Sequence, residues 1–254
     1  MIERVRALLR KAADPAVTDE ESQAFTAKAA ELMTRHSIAE AEARSDAGRE
    51  PEGVGMIEHT IIGVGGHGKS RATAMAAVAR AYGCMVALRG NTAGSHDRTL
   101  LVVGTASALG AVELLLASLG LQMEQAARRE AERHMRPLRE WGALPKHMLA
   151  GERARFYRSF LRAYGHAVAE RIAAMRGRIA EEGRAGGEGG AEVVLARDSE
   201  RVRAEFGRRF PRLGKGHAER THSTAGYRAG YASGSRADLG MGTVERDRSS
   251  ALPG

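Results

Sequence analysis

The chain has 254 residues, a length that can bury a sizeable core and that suggests one large domain or two small ones. No apolar run approaches the roughly 18 residues that a membrane-spanning helix needs, so we expect no membrane partner. Its one cysteine, Cys84, excludes an internal disulfide bond and fits the reducing cytoplasm, where we expect the protein to act.

The net charge of +8 is unevenly distributed along the chain. Residues 1–60 carry 8 basic and 12 acidic side chains, whereas the remainder of the chain is basic throughout. An acidic N-terminal part that precedes a basic body is a distribution that can mark nucleic-acid binding. The alternative is a compositional bias toward Ala, Gly and Arg, which raises the pI without any partner.

Residues 1–45 are predicted to form an N-terminal helical module. Apolar residues at helical spacing predict a first helix over 2–12. Thr18 and Glu21 form a capping box that opens a second helix, and a further box at Ser37 opens a third. The polar, glycine-containing residues 46–55 read as a linker.

The first 40 residues contain V-R-A-L-L-R-K-A and then D-P-A-V-T-D-E-E-S-Q-A-F-T-A-K-A-A-E-L-M-T-R-H-S-I. This pattern resembles the N-terminal signature of an uncharacterised bacterial and phage family, domain of unknown function 2786. The remainder resembles the companion region that usually follows that signature, most clearly in R-S-F-L-R-A-Y-G-H-A-V-A-E-R-I and G-Y-R-A-G-Y-A. The resemblance implies an organisation but no activity.

Residues 56–182 are predicted to form a central α+β domain that begins β-α-β-β. The strands are expected at Met56–Gly63, Cys84–Leu88 and Thr99–Val103, with a helix over Lys69–Tyr82. We predict that they form a small mixed sheet.

Two long apolar stripes predict a helical hairpin after the sheet. Residues 107–134 and 152–181 each place apolar side chains three or four positions apart. The two helices are expected to pack antiparallel against the sheet. The predicted fold class is therefore α+β and mostly helical, with an N-terminal helical module and a small mixed sheet packed by a long antiparallel hairpin.

The C-terminal part is predicted to contain a glycine-rich insert, a strand and two helices. The insert covers 183–190, and residues 191–240 form a strand–helix segment with its strand at Glu192–Ala196 and its helix at Ser199–Phe206. Residues 241–254 are predicted to be a disordered tail.

Three glycines recur every fourth residue in the last predicted helix, Ala225–Leu239: Gly226, Gly230 and Gly234. On a helix they share one face, and each costs about 1 kcal/mol against alanine in the helix interior. Such a helix has to be held by close packing against the body of the protein. The alternative is a semi-ordered glycine-rich tail.

Residues 63–70 match the phosphate-binding pattern G-x-x-x-x-G-K-[ST] between a predicted strand and a predicted helix. In such a loop, backbone amides and the lysine bind phosphates, and the serine binds Mg²⁺. The candidate nucleotide-binding residues are Gly63, Gly68, Lys69 and Ser70. A P-loop enzyme also needs a carboxylate after another strand, but the next two predicted strands are followed by Arg89 and Gly104. Asp198 follows only the distant predicted strand at 192–196.

The nine histidines form no H-E-x-x-H pattern and no pair at i, i+4, and the chain has no C-x-x-C. Cys84 lies in an apolar strand, where a buried, unreactive thiol is the usual outcome. We therefore predict no metal site, no cofactor and no catalytic residue.

The antiparallel hairpin brings the end of its first helix beside the start of its second, and both segments are rich in arginine. The candidate polyanion-binding residues are Arg128, Arg129, Arg133, Arg153, Arg155, Arg158 and Arg162. Such a patch can grip phosphates without reading sequence, although interleaved glutamates neutralise part of it. The alternative is a solvated face with ion pairs one helical turn apart.

The preferred function is a non-catalytic cytoplasmic binding protein that recognises nucleic acid through this arginine-rich face. One alternative is a P-loop-like nucleotide-binding enzyme that uses residues 63–70. Another is an interaction adaptor whose N-terminal helices dock a protein partner.

Overall fold

In the computed structural model, nearly all of the central part of the chain is described. The described residues are 2–12, 52–63, 66–90, 96–185, 190–214 and 223–237, together with the helical positions 25, 28, 29, 31–33, 35 and 36. The elements are α1 (Ile2–Ala12), β1 (Val54–Ile61), α2 (Gly68–Ala81), β2 (Met85–Gly90), β3 (Arg98–Thr105), α3 (Ala106–Glu140), α4 (Lys146–Ala185), α5 (Gly190–Arg209) and α6 (Thr224–Arg236). The predicted α+β, mostly helical class is confirmed. Both predicted N-terminal capping boxes and residues 241–254 lie outside the described residues.

The sheet has three strands in the order β1-β3-β2, and both neighbouring pairs are antiparallel. Val102 of β3 pairs with Ile57 on one side and with Val86 on the other. The predicted mixed sheet is therefore wrong. A β-α-β crossover can place its two strands side by side and parallel, but here β3 lies between β1 and β2 and pairs with both.

Alternate residues of the central strand face opposite layers of the fold. Leu100 and Val102 join the main core formed with α2, α3 and α4. Leu101 and Val103 contact a smaller cluster that includes Phe206 of α5. The two-residue period of the strand therefore places the helical hairpin on one face of the sheet and α5 on the other.

The predicted strand Glu192–Ala196 is wrong, because this segment lies within α5. A short apolar run such as this one has no periodicity that separates a strand from a helix. Ser199, where the following helix was expected to begin, instead donates its hydroxyl to the carbonyl of Leu195 at 2.8 Å. That bond to residue i−4 is typical of serine in a helix interior.

The predicted antiparallel hairpin of α3 and α4 is confirmed. The ring of His134 stacks on Phe156 at 4.5 Å, and the Tyr157 hydroxyl donates to Glu124 at 2.6 Å. Later residues of α3 thus meet earlier residues of α4. Among the described helices, α3 is long and apolar enough to cross a membrane by length and composition. Buried helices of globular cores meet the same criteria, and the fully buried Leu115 of α3 belongs to the main core.

The C-terminal helix α6 docks on α4 through its three glycines. A Cβ atom at each one would lie closer than 3.0 Å to a backbone carbonyl oxygen of α4, those of Phe156, Phe160 and Tyr164 respectively. The four-residue steps match on both helices, so α6 runs parallel to α4 with their backbones in contact. The predicted docked helix is therefore confirmed.

The thiol of Cys84 lies in the main core beside Gly104. Burial raises the pKa of Cys84 to about 12, although Arg176 acts in the opposite direction. We expect iodoacetamide at pH 8 to leave Cys84 unmodified in the folded protein and to alkylate it fully in urea, because only the thiolate is nucleophilic. Mass spectrometry measures both reactions. Alkylation of the folded protein at the rate of a free thiol would contradict this burial.

Candidate functional site

The glycine turn that matches the phosphate-binding pattern links β1 to α2. Gly66 has a φ of +71°, and its amide donates to the carbonyl of Gly63 at 3.0 Å. Gly68 begins α2, and His67 precedes it without forming a side-chain cap. Of the pattern, residues 64 and 65 lie outside the described residues.

The turn is packed against residues 96 and 97 of the loop before β3. Cβ atoms at Gly63 and Gly68 would both lie closer than 3.0 Å to the backbone of His96. The Gly63 amide donates to Asp97 Oδ1 at 2.6 Å. A carboxylate of the protein itself thus accepts the hydrogen bond of the first amide of the pattern. The two glycines therefore permit the close approach of another backbone segment.

The other predicted nucleotide-binding residues follow directly in the first turn of α2. Ser70 is buried, at 1% exposure, and Lys69 is half-buried. Asp198, the distant acidic candidate, lies in α5 and pairs with Arg201 at 3.3 Å. Nucleotide binding stays a prediction, which loss of ATP affinity in Lys69→Ala would support.

A second cluster connects the glycine turn to both long helices. Arg71 of α2 forms two hydrogen bonds with the carboxylate of Glu124 in α3, each 2.9 Å long. The Tyr157 hydroxyl donates to the same carboxylate, and the ring of His67 stacks on Tyr157 at 4.7 Å. These four residues, His67, Arg71, Glu124 and Tyr157, are called the His67 cluster below. They hold the start of α2 against α3 and α4.

The His67 cluster sets the charge of this end of the hairpin. Burial acts to raise the pKa of Glu124, but hydrogen bonds from Arg71 and Tyr157 outweigh it and lower that pKa below its ordinary value. Burial, with Arg71 and Arg158 nearby, lowers the pKa of His67. Burial and the Glu124 carboxylate raise the pKa of Tyr157 to about 12. At neutral pH the cluster therefore holds one arginine, one carboxylate, a neutral imidazole and a neutral phenol.

Three of the predicted polyanion-binding arginines come close to the His67 cluster. Arg128 approaches Glu124 at 3.6 Å, and the positive charges of Arg153 and Arg158 act on His67. Within the described ranges, neither Arg153 nor Arg158 forms an ion pair or a side-chain hydrogen bond. Arg153 is exposed and Arg158 is half-buried.

The remaining predicted arginines, from the same two helices, have other contacts. Arg133 pairs with Glu130 at 2.7 Å, and Arg155 pairs with Glu152 at 2.8 Å. The interleaved glutamates thus neutralise part of the face, as their positions indicated. Arg129 acts electrostatically on Tyr164, whereas Arg162 lies one helical turn after Arg158.

Sequence reasoning missed the His67 cluster as part of the site. His67 precedes α2 and Arg71 lies in its first turn, a spacing that indicates nothing without the partners from α3 and α4. The glutamate in the apolar stripe of α3 was the available signal, since a half-buried carboxylate requires a partner. In the part of the chain that the structure describes, no group of three or more His, Cys, Asp or Glu side chains could hold a metal ion.

The first part of the chain matches a known family. The family model described as "Protein of unknown function (DUF2786)" matches residues 1–43. The N-terminal resemblance is thereby confirmed. No curated protein and no solved structure matches the chain.

The DUF2786 segment contributes to the main core of the protein. Val5 of α1 is fully buried, and Ala29 and Met33 are buried in the same core cluster. In the same segment, Glu31 bonds to Lys28 at 2.8 Å and to Arg35 at 3.0 Å. The apolar side chains of Val5, Ala29 and Met33 are thus already covered by the rest of the protein. The adaptor alternative needs a different face of the segment, and it stays a prediction.

Proposed function

We propose that this protein is a non-catalytic cytoplasmic protein that binds nucleic acid through its phosphates. The binding surface is the arginine end, defined as Arg128, Arg153 and Arg158 beside the His67 cluster. One observation carries the proposal: the charges of Arg153 and Arg158 act together on the neutral His67, and within the described ranges neither arginine has a carboxylate partner. Arg153 is exposed and Arg158 is half-buried, so both side chains can reach an external anion.

The arrangement favours phosphates over a small anionic substrate. The arginines project from two helices around a cluster whose own carboxylate is satisfied by Arg71 and Tyr157. Side chains spread over such a surface contact several phosphates of a chain, which gives affinity without reading bases. The basic balance of the chain beyond residue 60 adds long-range attraction for a polyanion.

Charge reversal at Arg153 and Arg158 tests the proposal. In the double variant Arg153→Glu, Arg158→Glu we expect at least about tenfold weaker binding of fluorescent DNA or RNA at low salt, measured by anisotropy. Each lost phosphate contact should also reduce the slope of log affinity against log salt by about 1. The reason is that fewer counterions are released on binding.

A matched control carries the same charge change on the other face of the sheet. Arg203→Glu with Arg208→Glu alters two exposed residues of α5 and should change affinity far less. Circular dichroism melts verify that both double variants fold. The proposal fails if the unaltered protein retards neither DNA nor RNA at low salt, or if the two double variants lose affinity equally.

A further inference from the structure

Two tyrosines form an exposed aromatic pair on α6. Tyr227 and Tyr231 are 36% and 39% exposed, and their rings stack with centroids 6.3 Å apart and planes 16° apart. Each follows a docking glycine by one position, Gly226 and Gly230 respectively, so the glycine contacts with α4 fix where the rings emerge. Two large aromatic faces are thus kept at the surface on a helix that is itself held rigidly.

Side chains of α4 orient the second ring of the pair. The Tyr231 hydroxyl donates to Glu170 at 2.8 Å, and the ring of His166 lies 6.4 Å from that of Tyr231. The Nε2 atom of His166 lies 3.3 Å from Oε1 of Glu170. The ring pair is therefore positioned by contacts at its polar edge, which leaves aromatic surface open to a ligand.

Basic residues connect the tyrosine pair to the arginine end. Arg158, Arg162 and His166 follow one another at four-residue intervals on α4 and so lie on one stripe of the helix. This stripe spans about 12 Å at 1.5 Å per residue. At one end Arg158 directly follows Tyr157, on which His67 stacks, and at the other end the ring of His166 lies 6.4 Å from that of Tyr231.

We propose that the surface formed by Tyr227, Tyr231, Arg158 and Arg162, called the strip below, binds a single-stranded nucleic acid. Bases stack on the two tyrosines, and the two arginines hold phosphates. The inference rests on the proposed function and names its substrate class. An aromatic platform beside a basic track is the arrangement by which proteins hold single strands without reading their sequence. A duplex keeps its bases paired and stacked inside, so it offers phosphates to the arginines but no base to the tyrosines.

The test compares base-bearing and base-free strands on the unaltered protein. The probe is a fluorescein-labelled oligothymidine of about 12 nucleotides, and the control is an abasic oligomer of equal length with the same phosphates. We expect the abasic oligomer to bind at least about fivefold more weakly, because base stacking on aromatic side chains is lost. Equal affinity for the two oligomers overturns the inference.

Substitution of the rings tests the same point from the protein side. Tyr227→Leu and Tyr231→Leu should each weaken oligothymidine binding at least about fivefold, while leaving abasic binding unchanged. Tyr231→Phe is the matched control, because it keeps the ring and removes only the hydroxyl, which bonds to Glu170 and Ser235. Unchanged oligothymidine affinity in the doubly substituted leucine variant would overturn the inference.

The failure of the strip is distinguishable from the failure of the proposed function. If oligothymidine binds and responds to Arg153→Glu with Arg158→Glu but not to either tyrosine, only the strip is wrong. If neither single strands nor duplexes bind at low salt, nucleic-acid binding itself is wrong.

Discussion

Replacing Gly230 with alanine is expected to lower the free energy of unfolding by about 3 kcal/mol. The added Cβ would lie closer than 3.0 Å to the carbonyl oxygen and Cα of Phe160, and neither backbone atom can rotate away. Helix α6 would have to separate from α4 along its whole length, because Gly226 and Gly234 share the same seam. Urea denaturation followed by circular dichroism measures the change.

The control is another helical glycine with no such neighbour. Gly177 of α4 has open space where its Cβ would be. Gly177→Ala should therefore stabilise the protein by up to about 1 kcal/mol, since alanine is the better helix former. Opposite signs for the two substitutions would establish the backbone contact between α4 and α6. A stabilising Gly230→Ala would contradict it.

The docked helix and the hairpin could be predicted because their patterns repeat. Three glycines in four-residue steps and two long apolar stripes each specify a helix face over several turns. The order of the strands in the sheet was less predictable from the sequence. The β-α-β-β order is compatible with β3 at an edge or between the other strands, and only long-range pairing of Val102 with Ile57 and Val86 decides it.

Short segments and long-range contacts account for what the sequence did not reveal. Residues 192–196 have too few positions to show a period, so their sequence does not distinguish a helix from a strand. The sequence of residues 63–70 fits a phosphate-binding loop. In the structure, however, the hydrogen bond of the Gly63 amide is accepted by Asp97, 34 residues later in the chain. The arginine end was predictable from the antiparallel packing of α3 and α4 alone. The contacts of Arg71 and Tyr157 with Glu124 were not, because they depend on how α2 packs against the hairpin.

Removing the arginine of the His67 cluster should have a similarly large effect on stability. In Arg71→Met we expect a loss of about 3 kcal/mol in the free energy of unfolding at pH 7, because Glu124 keeps its charge in a half-buried position without its main partner. The figure is the lower end of the range for buried pairs, since the Glu124 side chain is 21% exposed. Chemical denaturation measures the loss. Arg128→Met is the control, because Arg128 is 69% exposed and contacts the same carboxylate at 3.6 Å, so its removal should cost less than about 1 kcal/mol.

The pH dependence of Arg71→Met separates a lost ion pair from lost packing. The pKa of Glu124 in the folded protein is below its ordinary value of 4.5, so its contribution is fully present above pH 4.5 and is lost as the pH falls. The deficit of Arg71→Met should therefore shrink as the pH falls below 4.5, where Glu124 becomes protonated in both proteins. Adding Glu124→Leu to Arg71→Met should recover much of the loss at pH 7, because no buried charge remains unpaired. A deficit that is constant with pH and is not relieved by the second substitution would mean that Arg71 acts through packing alone.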